Sequence, residues 1–92
     1  MDWNVQLLPD AAKELGEVPR NLQKAAVEQI ASFEEDPFPP DSLKLRGWND
    51  LYRIRLDGWR IVYQVNARRK SVLVLRVPSR ARVYVGLEPF WI

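Results

Sequence analysis

The chain has 92 residues, 47% of them hydrophobic and 28% charged, with a formal net charge of +2. This length and composition predict one globular domain over residues 1–92 with a single hydrophobic core. The sequence contains no cysteine and no histidine, which excludes disulfides, thiolate nucleophiles, zinc–thiolate sites and histidine general bases. Any catalysis must therefore use Arg, Lys, Tyr, Asp or Glu side chains.

The sequence shows neither a membrane-spanning nor a secretory pattern. No run of about eighteen apolar residues occurs, and the first residues lack the basic and then apolar regions of a signal peptide. We expect a cytoplasmic protein that does not associate with membranes.

The charges are distributed unevenly along the chain. Residues 1–42 carry three basic and nine acidic side chains, a net charge of −6, whereas residues 43–92 carry eleven basic and three acidic ones, a net charge of +8. The second half is therefore suited to a phosphate-bearing partner although the total charge is small.

The first half of the chain predicts one strand and two helices. Apolar and polar residues alternate over residues 2–8, as in a strand, and helices follow over residues 10–16 and 19–35, each starting near a proline. The second helix has one apolar stripe, formed by Leu22, Ala26, Ile30 and Phe33. The proline-rich segment 36–41 is interpreted as a rigid connector.

The stretch from Leu51 to Gln64 predicts a β-hairpin. Two runs rich in aromatic and β-branched residues flank Asp57-Gly58, a pair typical of a two-residue type I′ turn. This loop length sets the register, so that Arg55 faces Arg60 and Arg53 faces Val62. One face is then apolar and carries Tyr52, Ile54, Leu56, Trp59, Ile61 and Tyr63.

The three hairpin arginines share the second face. Like charges directly opposite one another destabilise a sheet, so the pairing of Arg55 with Arg60 suggests that an anionic partner is bound there. The alternative is that these arginines form only the solvated face of a half-buried antiparallel sheet.

A last strand is predicted from Ser71 to Val77, after a five-residue turn over residues 66–70. If Val65 faces Ser71, then Arg60 faces Arg76, and Arg55, Arg60 and Arg76 form a row across three strands. The segment Leu43–Trp48 leads into the hairpin, and Trp48 or Tyr52 is a candidate for stacking on a base, with core packing as the alternative. The predicted order is β-α-α-β-β-β, an α+β fold with an antiparallel sheet and a two-helix hairpin on one face.

Several short motifs in this order resemble the RelE/ParE toxin superfamily of type II toxin–antitoxin systems, nearer to RelE. The resemblance covers essentially the whole chain. The motifs are Pro9 with Ala12-Lys13 and Leu15, Lys44-Leu45-Arg46-Gly47, Tyr52-Arg53-Ile54-Arg55, Trp59-Arg60-Ile61-Val62-Tyr63, Val74-Leu75-Arg76-Val77, and Arg80 with Val83-Tyr84. In many members Gly-His or Gly-Lys precedes the late arginine, whereas this chain has Pro78-Ser79.

The resemblance implies a ribosome-dependent endoribonuclease. RelE-like toxins cut mRNA in the ribosomal A site by promoting attack of a 2′-hydroxyl on its adjacent phosphate, with no metal or cofactor. Position by position, the implied catalytic residues are Arg53, Arg55, Arg60, Arg80 and Tyr84. Supporting RNA contacts are assigned to Lys44, Arg46, Arg76 and Arg82. The implied partners are a cognate antitoxin and mRNA on the ribosome.

Two other functions are compatible with the same resemblance. ParE-type relatives share the fold but bind DNA gyrase and do not cut RNA. A degenerate member would bind RNA or an antitoxin without catalysis, and the altered Pro78-Ser79 segment is compatible with that reading. The set of arginines together with Tyr84 favours cleavage.

Overall fold

The computed structural model describes residues 2–45 and 47–79. Their elements are β1 (Asn4–Leu7), α1 (Pro9–Glu17), α2 (Arg20–Ser32), β2 (Leu43–Lys44), β3 (Leu51–Leu56), β4 (Trp59–Asn66) and β5 (Ser71–Arg76). The predicted α+β class and element order are confirmed, with the two-residue strand β2 as an addition.

The five strands form one mixed sheet in the order β1-β5-β4-β3-β2. The pairs from β2 to β5 are antiparallel, as predicted. Strand β1 instead lies parallel to β5, with Asn4 opposite Ser71 and Leu7 opposite Val74, so the prediction of an antiparallel sheet is wrong for this pair. Among the described residues, β1 therefore lies beside β5, and β1 and β2 are the two edges of the sheet.

Both helices start at prolines and pack on one face of the sheet. Pro9 occupies the first turn of α1 and Pro19 is the N-cap of α2, so the missing proline N–H groups lie where a helix has no partner for them. The main core joins the two helices to the sheet through Ala11, Val18, Ile30, Phe33, Ile54, Ile61, Tyr63, Val65, Val72, Val74 and Val77. Among the described residues, no helix is long and apolar enough to cross a membrane.

Aromatic side chains hold the connector between α2 and β2 against the core. The Tyr63 hydroxyl donates a hydrogen bond of 2.8 Å to the carbonyl of Pro37. The Phe38 ring packs edge-on against Tyr52 at 5.3 Å, and Tyr63 stacks on Phe33 at 4.2 Å between ring centroids. The segment is thus a connector, as predicted, and Tyr52 is part of the core.

The register of the β3–β4 hairpin is the predicted one. Leu56 pairs with Trp59, Arg55 with Arg60, and the pairing continues to Leu51 opposite Gln64. The turn differs in type, because Asp57 has a φ of 54° while Gly58 lies outside the positive-φ region. A positive φ at the first central residue only is the pattern of a type II′ turn, not of the predicted type I′ turn.

The predicted register between β4 and β5 is wrong by one residue. Asn66, not Val65, pairs with Ser71, because the turn contains four residues, from Ala67 to Lys70. The side-chain oxygen of Asn66 accepts a hydrogen bond of 3.1 Å from the N–H of Arg69, and Lys70 has a φ of 53°. A shift of one residue exchanges the two faces of a strand, so Val72 and Val74 lie in the helix-side core.

Candidate nucleic-acid interface

The sheet face opposite the helices carries the hairpin arginines, and we call it the arginine face. Residues directly opposite one another in a ladder share a face, so the pairs Arg55–Arg60 and Arg53–Val62 place Arg53, Arg55 and Arg60 together. The same face has a small apolar cluster of Leu45, Leu51 and Val62, with Leu75 packed against it.

Arg55 and Arg60 form a close cross-strand pair. The N–H of Arg60 donates to the carbonyl of Pro78 at 2.9 Å, so it points away from β3. The Arg55–Arg60 pair is therefore a non-hydrogen-bonded pair, the kind in which side chains of neighbouring strands come closest. The structure thus brings two guanidinium-bearing side chains together beside the turn.

The three arginines differ in their exposure. Arg55 is exposed, whereas Arg53 and Arg60 each retain only 7% of their accessible surface. Arg60 folds back over the turn, where its Nη1 donates to the carbonyls of Asp57 at 3.2 Å and Trp59 at 3.1 Å. Burial lowers the pKa of Arg53, and the charge of Arg55 lowers it further, but a guanidinium stays charged at neutral pH. The site is therefore a partly desolvated cationic surface.

The chain beyond β5 runs alongside the start of β4. In addition to the bond from Arg60 to Pro78, Ser79 forms an antiparallel bridge with Trp59. Ser79 is thus placed at the hairpin end of the sheet. Arg80, Arg82 and Tyr84 follow it in the sequence and lie outside the described residues, as does Arg46.

The guanidinium of Arg76 lies away from the arginine face, and the predicted row of Arg55, Arg60 and Arg76 is wrong. Arg76 pairs with Val62 rather than with Arg60. Its guanidinium binds Glu14 of α1, on the helix side, through Nε at 2.9 Å and Nη2 at 2.6 Å. The error has two causes, the shorter turn before β5 and a register shift between Val62 and Tyr63.

Lys44 and Tyr52, one of the two candidate stacking rings, lie on the helix side of the sheet and not on the arginine face. Lys44 is exposed but pairs with Tyr52, so it belongs to the face that carries the helices. Tyr52 packs between Phe38 and Tyr63 in the aromatic core. Trp48 is 44% exposed.

Glu14 is the polar residue of the fold that sequence reasoning missed. It is 7% exposed and also accepts the N–H of Val77 at 2.8 Å. Its position carried a signal, because it follows Ala11 by three residues and precedes Val18 by four, on the buried side of the first helix. A carboxylate on such a side needs a buried partner.

The arrangement on the arginine face suits phosphate binding. Arginine presents a planar fork of donors that binds phosphate oxygens bidentately, and it does not lose its charge at neutral pH. The hairpin arginines therefore supply positive charge and hydrogen-bond donors rather than a general base.

Comparison with known families defines the class of protein to which this fold and basic face belong. The family described as the ParE toxin of the type II toxin–antitoxin system parDE matches residues 5–84. Because this match spans most of the 92 residues, the chain belongs to the ParE toxin family, within the RelE/ParE superfamily.

Individual relatives are named as RelE toxins. A RelE-like toxin protein of Escherichia coli is 33% identical over 84 residues, which cover 89% of this chain and 87% of that protein. The archaeal RelE–RelB complex from Pyrococcus horikoshii contains a chain with a TM-score of 0.78 and 31% identity, covering 89% of this chain and 99% of that one. The intact E. coli RelBE toxin–antitoxin complex gives a TM-score of 0.72 at 28% identity, with coverage of 84% and 95%.

Proposed function

We propose that this toxin is a ribosome-dependent endoribonuclease that cuts mRNA in the A site. The observation that supports this most is the close Arg55–Arg60 pair on a partly desolvated face, next to Ser79, which precedes Arg80 in the sequence. Like charges in that position weaken the sheet, which is understandable if they bind a phosphate. The RelE relatives named above favour the same function.

The proposed reaction is attack of an mRNA 2′-hydroxyl on its adjacent phosphate. The new bond from the 2′-oxygen to phosphorus forms a 2′,3′-cyclic phosphate, and the 5′-oxygen of the next nucleotide leaves as a hydroxyl after taking up a proton from water. Arg55 and Arg60 bind the phosphate oxygens, and Arg53 orients the RNA backbone. Arg80 stabilises the charge that develops in the transition state. Tyr84 acts as the base that takes the 2′-hydroxyl proton, a role that requires guanidinium groups close enough to favour its phenolate. No metal takes part, and the ribosomal target places the toxin in the cytoplasm.

A cognate antitoxin is the second proposed partner. The P. horikoshii and E. coli relatives were each solved as a RelE toxin bound to its RelB antitoxin. We propose that an antitoxin neutralises this toxin by covering its arginine face.

The proposal is tested by mRNA cleavage on programmed ribosomes. Wild type is compared with Arg80→Ala, Tyr84→Phe and the control Arg68→Ala, whose side chain is exposed in the turn at the far end of β4. We expect A-site cleavage by wild type and the control. We expect a loss of about 100-fold or more in Arg80→Ala, the scale on which loss of a transition-state donor acts.

Two results would redirect the assignment. Full activity in Tyr84→Phe would move the role of base to another group. Failure of folded wild type to cut would reject the ribonuclease proposal.

Gyrase inhibition is the second candidate, and the description of the matching family as ParE toxin favours it. Gyrase inhibition predicts that the protein blocks DNA supercoiling by purified gyrase and leaves the mRNA on programmed ribosomes uncut. Failure in both assays would indicate a protein that binds RNA or an antitoxin without catalysis.

A further inference from the structure

Strand β5 contains an irregularity just before its end. Tyr63 pairs with Val74, but the next residue of β4, Val62, pairs with Arg76, so Leu75 is an extra residue on β5. This is a β-bulge, which changes the direction of the chain and the face on which later side chains lie. Strict alternation would put Leu75 and Val77 on one face, whereas Leu75 packs against the small apolar cluster of the arginine face and Val77 lies in the helix-side core.

The bulge sets the register in which the residues after it pair with β4. Beyond it, Pro78 accepts the N–H of Arg60 and Ser79 bridges to Trp59. Without the extra residue Arg76 would pair with Ile61, and each later residue would lie one position further along β4. The bulge therefore determines which residue of the chain reaches the hairpin end of the sheet.

The bulge lies beyond the point where β1, the second strand beside β5, ends. Strand β1 ends at Leu7, and the N–H of Leu8 makes its last bond to β5, at 2.9 Å to the carbonyl of Val74. Among the described residues no strand pairs with that edge of β5 beyond this point. The N–H of Val77 instead donates to the carboxylate of Glu14, at 2.8 Å.

Glu14 connects α1 to the end of β5 through three hydrogen bonds. Its Oε1 accepts from Arg76 Nε at 2.9 Å and from the backbone of Val77, and its Oε2 accepts from Arg76 Nη2 at 2.6 Å. The Glu14 side chain is only 9% exposed. A carboxylate this buried is stable only with such partners, and they are strongest when charged and bidentate.

We propose that Glu14 is a positioning residue for the toxin's active site. Through Arg76 and the Val77 amide it fixes the bulge, and the bulge holds Ser79 beside Trp59, where the chain continues to Arg80. The expected effect of Glu14 on cleavage rests on the proposed function, whereas its role in fixing the bulge does not. Glu14 itself touches no substrate.

The test compares Glu14→Ala and Glu14→Gln with two controls. Val65→Ala shortens a core side chain near the far end of β4 and reproduces a loss of stability, while Glu28→Gln removes an exposed carboxylate from α2. Each variant is measured well below its melting temperature. The readouts are the cleavage rate at saturating ribosomes, the half-saturating concentration, and hydrogen exchange of the Val77 amide.

We expect Glu14→Ala to lower the saturating cleavage rate by about 10- to 100-fold, because small displacements of a catalytic group have effects of that size. The half-saturating concentration should change by less than about twofold. Glu14→Gln keeps an oxygen for the Val77 amide and should be intermediate. Exchange of that amide should accelerate by at least about tenfold in Glu14→Ala, and neither control should show either effect.

Two outcomes would overturn the inference. One is an unchanged cleavage rate per folded molecule in Glu14→Ala; the other is an equal loss in Val65→Ala, which would indicate a stability effect alone. If Glu14→Ala does not fold, the same criteria apply to Glu14→Gln. If wild type does not cut mRNA, the proposed function fails, and the positioning role is judged by Val77 exchange and by the Trp59–Ser79 contact in solution. Unchanged values of both in the Glu14 variants would reject it.

Discussion

Replacement of Arg55 by threonine tests whether the opposed arginines serve function at the expense of stability. Arg55 lies directly opposite Arg60 and two residues from Arg53 on the same face. Threonine removes both repulsions and suits an exposed strand position. We therefore expect Arg55→Thr to be more stable than wild type and less active.

The expected size of the stabilisation is small, because Arg55 is exposed and water screens its charge. Cross-strand pairs contribute about 0.2–1 kcal/mol, so the free energy of unfolding should rise by that amount. For a domain of this size the melting temperature changes by about 4–8 °C per kcal/mol, which gives a rise of a few degrees.

Urea denaturation at low and high salt measures this gain. Salt screens exposed charges over about 10 Å at 0.1 M, so the difference between wild type and Arg55→Thr should shrink as salt is added. Cleavage on programmed ribosomes should fall by about tenfold or more, as expected for loss of a charged hydrogen bond to phosphate. Arg55→Lys keeps the charge and should keep the stability of wild type, but it loses the bidentate fork.

Cleavage of mRNA by Arg55→Thr at the wild-type rate would refute a functional role of Arg55. The arginine pair would then be only a solvated sheet face. A fall in stability would refute the second half of the argument, since it would show that Arg55 makes a favourable contact stronger than its repulsion with Arg60.

Three further predictions concern the core. Tyr63→Phe removes the donor to the buried Pro37 carbonyl and should lower the free energy of unfolding by about 1–3 kcal/mol in urea, whereas Tyr52→Phe should change it little. Burial raises the pKa of Tyr63 above its usual value, so its contribution is complete below about pH 10 and is lost as the pH rises further; alkaline circular dichroism should show a shallower loss in Tyr63→Phe. Phe33→Ala should cost about 3–5 kcal/mol because the ring is fully buried; a thermal shift smaller than that of Tyr63→Phe would contradict this value.

The parts of the fold that depend on local signals could be predicted from sequence. A two-residue loop at Asp57-Gly58 leaves one register for the hairpin, and that register is the observed one. The prolines at the helix starts and the apolar stripe from Leu22 to Phe33 are also local signals, because each depends only on residues close to it in the sequence. The positions of Arg53, Arg55 and Arg60 followed because they depend only on this hairpin.

The β4–β5 register could not be predicted because distant contacts determine it. The turn over residues 67–70 has no sequence signal as strong as Asp-Gly. Lys70 has a positive φ, which is uncommon for lysine and therefore could not be predicted from the residue type. The bulge depends on Glu14, which lies 63 residues from the Val77 amide it accepts. The predicted register therefore misplaced Arg76.

The two polar features that a folding domain does not need lie near the same end of the sheet. The Arg55–Arg60 pair weakens a hairpin that neutral residues would stabilise. The pair of the buried Glu14 with the partly exposed Arg76 could be replaced by apolar side chains at little or no loss of stability. Departures from local rules are expected at functional sites. Arg76 pairs with Val62, two residues along β4 from Arg60, and Ser79 bridges to Trp59 beside the same turn. Their proximity favours one functional site at this end of the sheet, with the arginines binding the ligand and Glu14 holding the chain that completes the site.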